Sequence, residues 1–203
     1  VTDDNSCSSA SSSTSITVNQ NPTASASTST GTVCEDATIS LTGGASGGSG
    51  GYTYSWSGPS SYTSSDQSPT ISANATTAMA GSYSLTVTDD NSCSSASSST
   101  SITVNQNPVA GAGDAMSAIC QGATSAPMNG SATGGATGGT WSGGAGSWTN
   151  ATDVANATYT AGASESGSIT LTLTTTGSGC TPVTATKNIT VNENPTASAG
   201  GAL

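Results

Sequence analysis

Three residue types are missing from the sequence of 203 residues: phenylalanine, histidine and arginine. Lys187 is the only lysine, and eleven acidic residues against it give a formal net charge of -10. Nucleic acids and anionic membrane surfaces bind to basic faces, so we expect neither as a partner. No segment approaches the roughly 18 apolar residues that a membrane span needs, so we expect no membrane insertion.

Large aliphatic residues are scarce as well. Valine, isoleucine and leucine together number 21 of 203 residues, a fraction typical of disordered chains. Three features oppose disorder: threonine and valine dominate the periodic segments and favour strands, apolar residues alternate with polar ones, and cysteines recur at regular intervals. The sequence therefore predicts a folded chain with a thin core, which needs covalent stabilisation.

Catalytic residue patterns are also absent from the sequence. Without histidine or arginine, and with one lysine, the many serines have no ordinary base beside them. No pair of carboxylates stands in a recognisable acid–base motif, although a glycosidase-like pair stays open on residue counts alone. We therefore expect that the protein is not an enzyme and that it needs no cofactor.

An internal repeat organises the chain. The segment VTDDNSCSSASSSTSITVNQNP at 1–22 returns unchanged at 87–108, and a looser copy, TTTGSGCTPVTATKNITVNENP, lies at 174–195. The repeat of about 86 residues is too long for a solenoid turn and fits one small β-sandwich. We predict two complete repeats, 22–107 and 108–194, preceded by the C-terminal end of a truncated repeat (1–21) and followed by the start of a further truncated one (195–203).

Period-2 alternation predicts the main strands of the first complete repeat. Thr38–Thr42 should be a strand with Ile39 and Leu41 on one face, and the segment YTYSWSG should turn its three aromatic side chains inward. The segment GGASGGSGG at 43–51 reads as a flexible turn. The segment GSYSLTVTD at 81–89 alternates in the same way and leads into a hairpin turn. In the partial repeat, Ser15–Val18 should be the last strand.

The second complete repeat follows the same plan with different residues. Trp141 and Trp148 flank a glycine-rich turn and should provide the aromatic core that Tyr52, Tyr54 and Trp56 provide in the first repeat. Ile169, Leu171 and Leu173 should line one face of a strand. The linkers NQNP and NENP have no spare residues, and proline restrains both itself and the residue before it. We therefore expect successive repeats to form a semi-rigid rod.

Five cysteines stand at regular positions: Cys7, Cys34, Cys93, Cys120 and Cys180. Each complete repeat has one cysteine near its start and one near its end, so we predict the bonds Cys34–Cys93 and Cys120–Cys180, with the partner of Cys7 outside the chain. Closing a loop of about 60 residues stabilises a protein by roughly 4 kcal/mol in the chain-entropy model. Such bonds persist in oxidising compartments, which predicts an extracellular or cell-surface protein. Free buried thiols and metal binding by lone cysteines are the alternatives.

Two groups of motifs carry a resemblance to known repeats. The pattern G-x-Y-x-L-x-V-T-D-x-N-x-C at 81–93, preceded by Y-x-Y-x-W at 52–56, resembles the PKD-like and SprB-like repeats of giant cell-surface adhesins in Bacteroidota. The segments GGTWSGGAGSW, NATDVANATYT and ITLTLTTTGSGC are similar to immunoglobulin-like repeats exported by the type IX secretion system. The resemblance covers almost all of 22–194. It implies an all-β fold of tandem immunoglobulin-like or PKD-like sandwiches, surface display, and a role in adhesion or in an appendage.

Calcium and glycans are the candidate ligands. The turn Asp89-Asp90-Asn91 and its duplicate Asp3-Asp4-Asn5 could offer oxygen ligands to calcium, together with Glu35 and Asp36. A solvated hairpin turn is the simpler interpretation, because the corresponding turn of the second repeat is Gly177-Ser178-Gly179. Candidate N-glycosylation sequons are Asn74, Asn129, Asn150, Asn156 and Asn188.

Two functions fit the sequence. The first is a structural stalk or shaft in a large extracellular adhesin or filament, with further repeats of the same chain and other copies of the chain in a bundle as partners. The second is direct binding of a glycan or of another cell's surface through exposed loops, such as Ser57–Ser68 with Tyr62, or the region Trp141–Trp148. A stalk predicts buried tryptophans, whereas a binding module predicts exposed aromatic side chains clustered on one surface.

Overall fold

The structure is a computed structural model that describes residues 1–177, 179–198 and 200. In this part of the chain, strands and two short 3-10 turns are the regular elements, and no α-helix is present. No helix of these residues could therefore span a bilayer. The all-β prediction is confirmed. Residues 199 and 201–203 of the expected partial repeat at 195–203 lie outside the described residues, and so does Ser178 of the glycine-flanked turn.

Eight strands and both 3-10 turns lie between residues 22 and 105. The strands are β1 (Pro22–Thr28), β2 (Thr32–Cys34), β3 (Ile39–Gly47), β4 (Thr53–Gly58), β5 (Tyr62–Ser64), β6 (Thr70–Ser72), β7 (Gly81–Thr88) and β8 (Ser98–Asn105), and the 3-10 turns are Pro59–Ser61 and Thr77–Met79. They form a sheet in the order β1-β3-β6 and a sheet in the order β2-β8-β7-β4-β5.

Eight further strands follow between residues 108 and 192. They are β9 (Pro108–Gly111), β10 (Ile119–Cys120), β11 (Ser131–Gly134), β12 (Gly138–Ser142), β13 (Ser147–Thr149), β14 (Thr158–Thr160), β15 (Gly167–Thr176) and β16 (Thr184–Asn192). Their sheets have the orders β10-β16-β15-β12, β11-β9 and β13-β14. Among the described residues, every sheet takes its strands from one side of residue 108.

By compactness the chain divides into two units. One consists of Val1–Ser27, Leu41–Pro69 and Ser82–Thr100, and the other of Thr28–Ser40, Thr70–Gly81 and the chain from Ser101 onward. These units do not follow the repeat boundaries expected from the sequence. The division into repeats at 22–107 and 108–194 therefore stays a prediction.

In the first unit, the core is built around Trp56 of β4. Trp56 lies opposite Leu85 of β7 in the antiparallel register, and both side chains are buried. The indole N–H of Trp56 donates to the carbonyl of Asp66 at 3.1 Å, so the one polar atom of the ring is satisfied. Tyr62 packs edge-on against the buried ring of Tyr83, with the ring centroids 5.6 Å apart. The inward alternation predicted for β7 is confirmed. In β4 only Trp56 is buried, whereas Tyr54 and the preceding Tyr52 are half-buried.

Gly43 shows why the predicted turn at 43–51 starts later than expected. β3 continues through Gly43 and Gly44 to Gly47, where the backbone first takes a positive φ of 72°. A Cβ at Gly43 would lie 2.6 Å from the carbonyl oxygen of Gln67 and 3.2 Å from the ring of Trp56. Gly43 is therefore a strand residue that lets the tryptophan approach the backbone, and the prediction that it belongs to a turn was wrong.

In the second unit, β12, β15 and β16 enclose a separate aromatic core. Trp141 is buried and stacks on the half-buried Trp148, with centroids 6.0 Å apart, and Trp148 contacts Tyr159 at 5.2 Å. Leu171 and Leu173 of β15 are fully buried in this cluster, and Ile169 packs against it. The predictions for Trp141 and Trp148 and for the strand at 169–173 are confirmed.

The buried side chain of Lys187 also belongs to this core. The Lys187 ammonium donates to the carbonyls of Asp114 (3.0 Å) and Met128 (2.6 Å), and it lies 5.6 Å from the ring centroid of Trp141. Burial lowers the pKa of Lys187, against the opposing effect of Asp114. The single lysine of the chain is therefore used to satisfy backbone carbonyls inside a sandwich.

The partial repeat at 1–21 differs from its exact copy. In the copy, Ile102 and Val104 of β8 are buried. Ile16 and Val18, which occupy the same places in the repeat, are 87% and 89% exposed, and no strand forms over Ser15–Val18. β8 has β2 and β7 as hydrogen-bonded neighbours, whereas no strand of the described residues pairs with 15–18. The predicted strand is therefore wrong, because a strand needs a partner for its backbone groups.

Candidate functional site

The most constrained site of the chain is the linker between β8 and β9. β2 pairs in parallel with β8, which places Cys34 opposite Asn105, the last residue of β8. Only Gln106 and Asn107 separate Asn105 from Pro108, where β9 begins. The cysteine near the start of the first repeat is therefore held beside the linker that leads into the second.

A disulfide joins Cys34 to Cys180 at this linker. Their Cα atoms are 5.8 Å apart and their sequence separation is 146 residues. The sulfur of Cys180 also lies 3.8 Å from the carbonyl oxygen of Asn105. The predicted bonds Cys34–Cys93 and Cys120–Cys180 are wrong. Cys7, Cys93 and Cys120 form no disulfide. The observed bond connects the two predicted repeats instead of closing one.

Strand length explains why bonds within a repeat do not form. Cys120 lies opposite Asn192, the last residue of β16, whereas Cys180 precedes the first residue of the same strand, Thr184. Nine residues at roughly 3.3 Å each put these positions more than about 25 Å apart, while bonded cysteines need Cα atoms within about 7 Å. In the first repeat, Cys34 faces the end of β8 and Cys93 precedes its start, so the same argument applies.

Asn107 fixes the linker on both sides. Its backbone N–H donates to the carboxylate of Glu35 at 3.1 Å, and its side-chain amide donates to the carbonyl of Glu35 and to the carboxylate of Asp36, both at 3.2 Å. Its own carbonyl accepts the N–H of Gly135 at 3.2 Å. Glu35 and Asp36, which we considered as calcium ligands, thus accept hydrogen bonds from Asn107.

The same arrangement recurs at the next linker. Asn194 donates its backbone N–H to the side chain of Gln121 and its side-chain amide to the carbonyl of Gln121, both at 3.2 Å. Gln121 follows Cys120 as Glu35 follows Cys34. This pairing of the residue after the first cysteine with the asparagine before proline is therefore a property of the repeat.

The turn at Asp89 is organised by its carboxylate. One carboxylate oxygen accepts the N–H groups of Asn91 (3.0 Å) and Cys93 (2.9 Å), and the other accepts the N–H of Ser49 at 2.9 Å. The Ser49 hydrogen bond contributes most to lowering the pKa of Asp89, burial opposes it, and the bonds from Cys93 and Asn91 add to it. Asp89, which is 5% exposed, acts as the acceptor that closes the turn.

The duplicate turn has the same geometry. Asp3 accepts the N–H groups of Asn5 at 3.1 Å and Cys7 at 2.9 Å, although the strand that follows does not form. Backbone N–H groups engage both carboxylate oxygens of Asp89 but only Oδ1 of Asp3. Asp90 and Asn91 are exposed, and no group of three acidic, cysteine or histidine side chains among the described residues is arranged as metal ligands.

All five sequon asparagines are exposed. Asn129 and Asn150 have positive φ angles of 51° and 54° and lie in turns. Asn188 lies in β16, where its side-chain oxygen accepts a hydrogen bond from Thr170 at 2.9 Å. The side-chain amide of Asn156 donates to the carboxylate of Asp153. Asn74 also lies at the surface, and glycosylation at any of these sites stays a prediction.

The aromatic side chains are mostly turned inward. Trp56 and Trp141 are 1% and 2% exposed, and Trp148, Tyr52, Tyr54 and Tyr62 are half-buried. A pocket of about 500 Å³ is lined by Tyr54, Trp56 and neighbouring residues of β4 and β5. No aromatic residue is among the large hydrophobic side chains found exposed in the described part of the chain.

Two further interactions were not predicted from the sequence. The carboxylate of Glu165 accepts the N–H groups of Ala145 (2.8 Å) and Gly162 (3.0 Å) and the hydroxyl of Tyr159. The role of Asn107 was also missed. The repeated N-x-N-P motif pointed to it, because a second asparagine is kept at every linker, whereas nothing in the sequence singles out Glu165.

Comparisons with known proteins show the fold. No family model matches the chain, and no curated protein matches it either. Among solved structures, the chain is similar to the eight N-terminal Ig domains of the Down Syndrome Cell Adhesion Molecule (TM-score 0.57, 14% identity, covering 85% of this chain and 25% of that one). It also resembles extracellular domains 3–5 of Drosophila OTK (TM-score 0.53, 12% identity, 85% and 60%) and the titin I-band fragment I67–I69 (TM-score 0.50, 12% identity, 88% and 67%).

The chain spans a quarter of the length of the first of these structures. At such low identity the likeness concerns the fold alone. Together with the strand orders above, it shows that the chain has an immunoglobulin-like all-β fold, as the sequence predicted.

Proposed function

We propose that the chain is the structural repeat region of a large extracellular adhesin or surface filament, in which it acts as a semi-rigid stalk. The observation that carries this proposal is the Cys34–Cys180 bond, which ties one predicted repeat to the next beside the linker. The disulfide and the hydrogen bonds of Asn107 together restrict the backbone of the two-residue linker more than its short length and the following proline do alone. A restricted linker is what a stalk needs, because its length depends on successive repeats staying extended.

The same bond supports the proposed extracellular location. Disulfides persist in oxidising compartments and are rare in the cytosol. On the sequence motifs quoted above, we assign the chain to the PKD-like and SprB-like repeats of Bacteroidota surface proteins exported by type IX secretion. Other copies of the chain, packed side by side, are the proposed partners within a filament. The serine- and threonine-rich surface offers hydrogen bonds between copies, and the net charge of -10 opposes their approach.

Direct binding of a glycan or a cell surface is the second candidate function. The pocket beside Tyr54 favours it, since half-buried aromatic side chains can stack on sugar rings. The burial of Trp56 and Trp141 favours the stalk, because these large apolar side chains lie in the core and are not exposed to a ligand.

Small-angle X-ray scattering of the full chain tests the stalk. We expect a single extended population in oxidising buffer, and a broader distribution of maximum dimensions for the Cys34→Ser variant. The Cys7→Ser variant is the matched control and should scatter like the native chain. Scattering from the native chain that fits only a broad mixture of bent forms would contradict the stalk. Binding of the chain to a glycan array, lost in a Tyr54→Ala variant, would favour the second function.

A further inference from the structure

Three cysteines without a disulfide occupy the same places in the repeat as the two bonded ones. Cys120 corresponds to the bonded Cys34, and Cys7 and Cys93 correspond to the bonded Cys180. Cys120 is exposed and Cys93 is half-buried. The chain therefore contains one disulfide between repeats, together with unbonded cysteines whose equivalents in the repeat form that disulfide.

The surroundings of Cys120 match those of Cys34. Each is the last residue of a short strand that pairs in parallel with the final strand of its repeat, so that Cys34 lies opposite Asn105 and Cys120 opposite Asn192. In both places the next residue, Glu35 or Gln121, binds the asparagine that precedes proline. Cys120 is thus held beside the linker that follows its repeat, as Cys34 is.

The surroundings of Cys93 match those of Cys180 at the opposite end of a repeat. Cys180 lies beside Asn105, the residue immediately before the linker that precedes its repeat. Cys93 donates its N–H to Asp89. A Cβ added at Gly48 would lie 2.5 Å from the Asp89 carboxylate and 3.3 Å from Pro22, where the first repeat begins, so both groups approach Gly48 closely. The turn that carries Cys93 therefore adjoins the linker that precedes its own repeat.

We propose that tandem repeats of this type are joined by a ladder of disulfides, in which the first cysteine of each repeat bonds to the second cysteine of the repeat that follows. The bond Cys34–Cys180 is one rung. Cys120 would bond to the second cysteine of a following repeat, and Cys93 to the first cysteine of a preceding one. This inference rests on the proposed role of the chain as part of a tandem array.

Each rung forms by thiol–disulfide exchange. Two thiols lose two protons and two electrons as their sulfur–sulfur bond forms, and a dithiol oxidoreductase in its disulfide form, or oxidised glutathione, takes them up and is reduced to two thiols. The ladder then adds one disulfide for every repeat added. Pairing within a repeat would leave neighbouring repeats joined by the backbone alone.

A longer chain tests the ladder directly. Residues 1–194 followed by a second copy of residues 22–203 give a tandem chain with nine cysteines and with the linker sequence kept intact. After folding with a glutathione redox buffer, alkylation and mass spectrometry count the free thiols. The ladder predicts three, the same number as in the single chain. Bonds between Cys34 and Cys180 alone predict five, and pairing within each repeat predicts one.

Two serine variants identify the new rung. Cys93→Ser in the second copy should free Cys120 of the first copy, which a labelled peptide reports. Cys93→Ser in the first copy is the matched control and should leave the bond to Cys120 in place. The peptide that links Cys34 to Cys180 in each copy shows that both copies have folded. If this peptide is absent, the Cys34–Cys180 bond has not formed, and the proposed ladder is overturned.

The remaining outcomes separate the ladder from the stalk. Five free thiols in a tandem chain that scatters as an extended rod overturn the ladder and leave the stalk standing. Three free thiols in a chain that scatters as a mixture of bent forms overturn the stalk and support the ladder. Disulfide-linked dimers on a non-reducing gel, joined by Cys93 or Cys120 of two different chains, would overturn the ladder in favour of bonds between neighbouring chains.

Discussion

Asn107, the last residue of the linker, donates both its backbone N–H and its side-chain amide to Glu35, which follows a bonded cysteine. Replacing Asn107 by alanine removes two side-chain hydrogen bonds, to the Glu35 carbonyl and to the Asp36 carboxylate. We expect a loss of about 1–2 kcal/mol in the free energy of unfolding, measured by urea titration with tryptophan fluorescence. Gln106→Ala changes an exposed neighbour in the same linker and should cost less than about 0.5 kcal/mol. Equal effects of the two variants would contradict the role of Asn107.

The disulfide makes a second prediction. Cys34→Ser opens a loop of 146 residues, and the chain-entropy model gives a loss of about 5 kcal/mol in the free energy of unfolding. Chemical denaturation in oxidising buffer measures it. Cys93→Ser should leave the stability nearly unchanged, because Cys93 has no disulfide. Equal losses in these two variants would mean that Cys34 is bonded to Cys93 instead, because either substitution would then break the same bond.

Asp89 provides a third prediction. Asp89→Ala leaves the N–H groups of Ser49, Asn91 and Cys93 without their acceptor, so we expect the Tm to fall by roughly 5 °C or more. Asp90→Ala, which removes an exposed carboxylate from the same turn, should change the Tm by about 2 °C or less. Differential scanning calorimetry measures both variants. Added calcium chloride should not shift the Tm of the native chain, and a rise of several degrees would restore the calcium site that we considered.

Glu165 predicts a dependence of stability on pH. Burial of its carboxylate favours the neutral form, but hydrogen bonds from Tyr159, Ala145 and Gly162 outweigh burial and lower the pKa of Glu165 below its ordinary value of 4.5. Since the folded state holds this proton more weakly than the unfolded state does, the stabilisation is fully present above about pH 4.5 and is lost as the pH falls through the lowered pKa.

Thermal unfolding between pH 3 and pH 7 checks the effect of Glu165. The Tm of the native chain should fall on acidification by more than that of Glu165→Gln, which has no carboxyl group to titrate at this position. Asp89 also has a lowered pKa and adds to the acid sensitivity of both proteins, so the comparison isolates Glu165. Parallel Tm curves for the two proteins would contradict the assignment.

Gly43 makes a prediction about packing. A Cβ at this position would lie 2.6 Å from the Gln67 carbonyl oxygen and 3.1 Å from Leu85, so Gly43→Ala should lower the free energy of unfolding by about 1–3 kcal/mol. Gly31→Ala is the control, because its Cβ would meet nothing nearer than 4.0 Å and its φ is not positive. Urea titration should show the loss in the first variant alone.

Sequence reasoning predicted the elements whose pattern is local. Alternation in β7 and β15 placed Leu85 and Leu171 on buried faces, because a strand puts every second side chain on the same side. The turn chemistry of Asp89 was equally local, and the copy at Asp3 forms it again in different surroundings.

Relationships between distant residues were beyond that reasoning. The identical sequence around Ile16 and Ile102 is exposed in one place and buried in the other, because only Ile102 has neighbouring strands. The partner of Cys34 likewise depends on which strand end faces which linker, and even spacing of cysteines fits bonds within a repeat as well as bonds between repeats. The spacing was right about the period and wrong about the pairing.

The bond between Cys34 and Cys180 also decides how the chain carries a mechanical load. Tension applied at the two termini passes through the sulfur atoms and bypasses everything between them, so the 146 residue steps enclosed by the bond bear no pulling force. At roughly 3.5 Å per residue, about 500 Å of contour length is locked against extension. Under tension, such a segment extends only after the disulfide is reduced, and unfolding of the enclosed residues does not lengthen it.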